Sequence, residues 1–101
     1  MTFDEITDLY DQEVVKWLVR NNYTKVSEHV IMIIRNILMA KDGILVNYGS
    51  FVAGVLENDL SKVMRYADDE CMANLKLIYQ GFYNIDTYYL LPKDTRSEVS
   101  L

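Results

Sequence analysis

Cysteine, proline and glycine are all scarce in this chain of 101 residues, which has one Cys, one Pro and four Gly. The single thiol, Cys71, excludes an internal disulfide framework and a zinc site built from several cysteines, and it suits a reducing, intracellular compartment. So few turn-forming residues argue against a many-stranded sandwich and for helices. Basic charge is short too: 10 Lys and Arg stand against 15 Asp and Glu, a net charge of -5. The average field repels DNA, RNA and anionic membranes, so neither a nucleic acid polymer nor a membrane is an expected partner. Long hydrophobic runs are missing. The most apolar stretch, residues 30–40, is interrupted by Arg35 and Asn36 and is too short to span a bilayer. The opening M-T-F-D-E-I-T-D has neither a basic region nor an apolar one, so no signal peptide is expected and the cytoplasm is the expected location. The EF-hand loop, the HExxH zinc motif and the Gly-rich phosphate loop are all absent.

What is present is ordinary globular material, 50% apolar and 25% charged. A chain of this length makes one domain with a thin core, which association into a homo-oligomer would thicken. Thr2 and Glu5 fit a capping box, and Phe3, Ile6, Leu9, Tyr10, Val14, Trp17 and Leu18 then recur at helical steps. Asp8, Asp11, Gln12, Lys16 and Arg20 lie opposite, and Asn21 with Asn22, able to take left-handed geometry, ends the segment. Thr24 or Ser27 caps a second helix through Val26, Val30, Ile33, Ile34, Ile37 and Leu38, which stops near Lys41 with Gly43 as its terminating glycine. Residues 44–48 form a connector, extended or one helical turn.

Residues 49–68, G-S-F-V-A-G-V-L-E-N-D-L-S-K-V-M-R-Y-A-D, are the best punctuated stretch. Ser50 is read as the cap of a helix over 51–57, and Asn58 with Asp59 breaks it and recaps a helix over 60–67. Asp68 or Asp69 caps a last helix running to about Tyr83, with Met72, Leu75, Ile78, Tyr79 and Phe82 as its buried stripe. Tyr88, Tyr89, Leu90, Leu91 and Pro92 read as an extended, partly docked segment. The expected fold class is therefore all-α, a single-domain bundle of about four to five short helices over residues 1–92, with 93–101 as a frayed polar tail.

Candidate chemistry is sparse. His29 and Cys71 would form a catalytic pair only if the fold brought them together, and a boundary histidine and a packing thiol are the simpler readings. Asp68, Asp69 and Glu70 suit capping and the helix dipole better than a shared cation. No catalytic residue, resident metal or cofactor is expected. Gly49 and Ser50 offer backbone N–H groups and a hydroxyl of the kind that receives phosphate. Lys62, Arg65 and Lys76 would add positive charge if they share a face, and Tyr48, Phe51 and Tyr66 would add stacking surfaces. Eight tyrosines are the clearest compositional anomaly. Tyrosine suits surfaces that meet or that stack aromatic ligands, and Tyr79, Tyr83, Tyr88 and Tyr89 cluster near the C-terminal end.

The stretch G-S-F-V-A-G-V-L-E-N-D-L at residues 49–60, followed by R-Y-A-D at 65–68, resembles a broad family of small phage-encoded proteins. Their recurring pattern is glycine, a small residue, an aromatic, an apolar pair ending in V-L, then N-D-L and a later A-D. The chain departs from the pattern at Cys71, where the family commonly has asparagine, and after Asn84, where the family often reaches a proline sooner than Pro92. The resemblance implies counter-defence in an infected bacterial host, by a sponge that binds a cyclic nucleotide alarm signal without cleaving it. Carried onto this sequence, Gly49 and Ser50 would meet phosphate and Lys62 and Arg65 would balance its charge. Tyr48, Phe51 and Tyr66 would stack bases, and Asn58 and Asp59 would read base edges. The competing expectation is an acidic inhibitor that grips a host defence protein, with the central motif purely structural. A third is a structural helical protein of the phage.

Overall fold

The computed structural model describes residues 1–91, so the tail expected at 93–101, and Pro92 before it, lie outside the described residues. Six helices follow one another: α1 (Phe3–Arg20), α2 (Glu28–Lys41), α3 (Ser50–Leu56), α4 (Leu60–Tyr66), α5 (Asp69–Ala73) and α6 (Leu75–Asn84). No strand occurs among the described residues. The all-α expectation therefore stands, and the count exceeds the expected four to five.

Each boundary has a local cause. The Thr2 hydroxyl accepts the Glu5 N–H at 3.2 Å while the Glu5 carboxylate accepts the Thr2 N–H at 3.1 Å, the reciprocal pair of a capping box. Those bonds from Thr2 hold the Glu5 carboxyl below its ordinary range. Of the two candidate caps of α2, Ser27 is the one used, its hydroxyl accepting the Val30 N–H at 3.2 Å. Three helices end alike. Asn22, Gly43 and Asn58 have φ of 63°, 79° and 57°, and the next residues, Tyr23, Ile44 and Asp59, donate N–H back to Leu18, Met39 and Gly54. This is the left-handed termination that glycine and asparagine favour, because it satisfies carbonyls the helix leaves open.

Ser50 does not cap α3. Gly49 occupies the cap position with no side-chain hydrogen bond, and Ser50 is the first helical residue. The single helix expected from Asp68 to Tyr83 is two helices, α5 and α6. Asn74 turns its side-chain amide onto the Glu70 carbonyl at 2.9 Å and leaves helical geometry at φ -116°. The break rotates the apolar face. Cys71, Leu77, Ile78 and Gly81 are buried, Leu75, Tyr79 and Phe82 are partly buried, and Met72 is exposed.

The core lies where α2 packs against α1, α3 and α6. Tyr10, Val14, Val30, Ile34, Ile37, Leu38 and Ile78 are fully buried there. Each such aliphatic side chain is worth about 1.5–3 kcal/mol of transfer free energy before ordering costs. α6 approaches α2 closely because residue 81 is glycine: a Cβ there would sit 3.1 Å from the Ile34 side chain. The segment after α6 folds back as a strap. Ile85, Thr87 and Leu91 are buried in it, and the Thr87 and Tyr10 hydroxyls both donate to Asp42 Oδ2 at 2.6 Å. The Tyr89 hydroxyl donates to the buried Glu13 carboxylate, a bond that raises the phenol's pKa above its ordinary value. The docking read from the sequence is thus present through Leu91, but residues 88–91 form a turn and bend instead of an extended segment. Its polar anchors, Glu13 and Asp42, were not legible as such.

Candidate functional site

α3 and α4 form a hairpin across Asn58 and Asp59. Gly54 lets them touch, since a Cβ there would lie 3.0 Å from both the Val63 side chain and the Val63 backbone nitrogen. Asn58 supplies the left-handed turn, and Asp59 Oδ1 accepts the Lys62 N–H at 3.1 Å to cap α4. Both residues are therefore accounted for by chain geometry. Only Val63 of α4 is buried, while Leu60, Met64 and Tyr66 stand exposed.

The nine residues singled out as ligand-binding do not all line one hollow. Asp59, Lys62, Arg65 and Tyr66 line, with Ser61, an open hollow of about 270 Å³ on α4. Tyr48, Gly49, Ser50 and Asn58 are exposed but are not among its lining residues. Phe51 is in the core, 7% exposed, so within a single copy its ring packs against apolar neighbours and presents no face for stacking on a base. The hollow's charge is largely balanced. The Lys62 ammonium sits 3.1 Å from the Glu57 carboxylate, which raises its pKa, and Asp59 lies on the wall.

A second hollow, of about 340 Å³, opens between the link from α1 to α2 and the junction of α5 with α6. Tyr23, Thr24, Lys25 and Val26 line one side, and Ala73, Asn74, Lys76, Leu77 and Gln80 the other. Two lysines and no carboxylate stand among these residues, and neither lysine is in an ion pair among the described residues. Tyr23 is held in place: its hydroxyl donates to Gln80 Oε1 at 2.7 Å and its ring stacks on Trp17 at 5.7 Å. Sequence reasoning grouped Lys76 with Lys62 and Arg65 and passed over Tyr23 and Lys25. No local pattern joins Lys25 to Lys76; only the packing of α6 on α2 does.

The same corner of the fold brings His29 and Cys71 together, which spacing gave no reason to expect. His29 Nε2 and Asp68 Oδ2 are 2.8 Å apart, and Asp68 Oδ1 accepts the Cys71 N–H at 2.7 Å, so Asp68 is the cap of α5. The Cys71 amide and His29 together hold the Asp68 carboxyl below its ordinary range. Burial and the neighbouring Asp68 carboxylate push the Cys71 thiol up to about 12. A thiol so placed stays protonated near neutrality, the opposite of an activated nucleophile.

No family model, curated protein or solved structure matches the chain. No helix among the described residues is long and apolar enough to cross a membrane.

Proposed function

We propose that the protein is a phage counter-defence protein that binds and sequesters a cyclic nucleotide immune signal without cleaving it. The observation that carries this reading is the hollow containing Lys25 and Lys76, a pair of cations with no lining carboxylate on a chain of net charge -5. Against such a background, a local excess of positive charge is a place where a phosphate gains attraction. Thr24, Asn74 and Gln80 add groups able to hydrogen-bond a base or sugar, and Tyr23 adds a fixed aromatic wall. Sequestration requires this and no nucleophile.

At about 340 Å³ the hollow lies at the small end of ligand sites, room for about one nucleotide. A cyclic di- or oligonucleotide then bridges two copies in a homo-oligomer. Leu60 and Met64, exposed one turn apart on α4, are an apolar surface for such association. The α4 hollow with Lys62, Arg65 and Tyr66 is the weaker anion surface of the two, because Glu57 and Asp59 already answer its charge.

Isothermal titration of the folded protein against a panel of cyclic di- and trinucleotides tests the proposal. Saturable binding of one member, with the ligand recovered intact, supports it, and no binding anywhere in the panel sinks it. One observation favours a second reading, an acidic inhibitor of a host defence effector. Tyr83, Tyr88 and Tyr89 are all exposed at the end that carries Asp86, a surface suited to a basic protein. Pull-down from host lysate separates the two, since an inhibitor returns a protein and a sponge returns nucleotide.

A further inference from the structure

The corner where the start of α2 meets the start of α5 gathers three different donors. One ligand atom each from His29, Asp68 and Cys71 lies within 4.8 Å of the others. We infer that these three side chains form a binding site for a zinc-like divalent cation, with a fourth position open to solvent. The site is independent of the nucleotide reading.

The argument is geometric and chemical. An imidazole, a carboxylate and a thiol are the mixed nitrogen, oxygen and sulfur set that suits zinc, whereas magnesium and calcium ask for oxygen alone. Around a tetrahedral ion, bonds of about 2.0–2.2 Å to nitrogen and oxygen place those two atoms ~3.4 Å apart, and a bond of about 2.3 Å to sulfur places it ~3.6 Å from nitrogen. The His29 and Asp68 atoms now at 2.8 Å thus need to part by about 0.6 Å, and the thiol to close by about 1.2 Å at most. His29 and Asp68 have freedom to do so, with side chains 38% and 53% exposed.

The surroundings fit as well. The Cys71 amide fixes Asp68 through Oδ1 and leaves Oδ2 to face His29, the kind of outer hydrogen bond that orients a ligating carboxylate. Cys71 is buried, so its sulfur forms the floor of the site, while the two exposed ligands form its rim and leave the fourth position to water or an incoming ligand. The cation would displace the thiol proton on binding and tie the start of α2 to the start of α5, which already meet through His29 and Asp68.

Cobalt(II) as the metal alone, titrated into the full chain, reads the site directly. The expected result is one ion per chain, with the near-ultraviolet charge-transfer band of a cobalt thiolate and visible bands of a four-coordinate ion, both bleached by zinc. Cys71→Ser removes the near-ultraviolet band. His29→Gln and Asp68→Asn each weaken binding by at least about tenfold, and the asparagine keeps an acceptor for the cap of α5. Far-ultraviolet circular dichroism confirms that each variant is folded. Absence of the thiolate band in the unaltered protein overturns the inference whatever the variants do, and so does unchanged affinity in folded His29→Gln and Asp68→Asn.

Discussion

The two cationic hollows differ in what their charges are doing. On α4, Lys62 is paired with Glu57 and Asp59 is spent on a helix cap, so the residues that look most like a ligand site also have structural employment. At the junction of α5 with α6, Lys25 and Lys76 have no acidic neighbour in the lining, and the aromatic beside them is locked by Trp17 and Gln80. A motif dense in chemical groups is thus not the place where charge is left over. What distinguishes a candidate anion site is the absence of a local counter-charge, which only the assembled fold reveals.

The largest expected effect follows from that contrast. Lys25→Met with Lys76→Met would remove two charge-assisted contacts to the proposed cyclic nucleotide and is expected to lower its affinity on the order of 100-fold. Lys62→Met with Arg65→Met lowers it by about threefold or less, as a screened secondary surface would. Titration calorimetry on both pairs ranks the hollows, and the reverse order moves the site to α4.

Gly54→Ala comes next. Its methyl group would press on the Val63 backbone, so the α3–α4 hairpin loses about 1–2 kcal/mol net of the gain in helix propensity, read as a lower denaturation midpoint. Nucleotide affinity at the hollow of Lys25 is expected to survive; its collapse would show that the two regions act together.

Asp59→Ala is smaller, about 1 kcal/mol for the lost cap of α4, while Asp59→Asn keeps an acceptor and stays within a few tenths. Binding that disappears in Asp59→Asn, with stability intact, would show that the carboxylate reads a ligand as well as capping α4. The smallest effect is a pH dependence at the start of α1. Glu5 has a folded pKa below its unfolded value near 4.5, so its contribution is present above that pH and is lost as pH falls through the lowered value. Glu5→Gln should flatten the acid limb of the thermal midpoint against pH, leaving the midpoint near neutrality only slightly lower.

Much of the fold was legible in short-range chemistry. The Thr2 and Glu5 box, Asn22, Gly43 and Asn58 at helix ends, and Asp59 as a cap all follow from groups within five residues of their partners. The misreadings have the same scale. Ser50 and Gly49 compete for one cap position, and Asn74 looks like any polar helical residue until its amide bonds to Glu70. The candidate site was less legible. Phe51, an aromatic at the motif's centre, belongs to the core, and Asn58 belongs to a turn.

The sequence by itself determined that the chain is helical, where most of its helices start and stop, and that its overall charge is acidic. Periodicity, caps and composition are local or summed properties, and they need no knowledge of what packs on what. The tertiary structure decided which groups meet. It set Lys25 and Lys76 on one hollow, joined His29 to Cys71 through Asp68, and ran the C-terminal strap to Glu13 and Asp42. Those pairings depend on how α6 and α5 dock against α2 and α1. That docking is fixed by close packing, down to the single missing methyl group at Gly81.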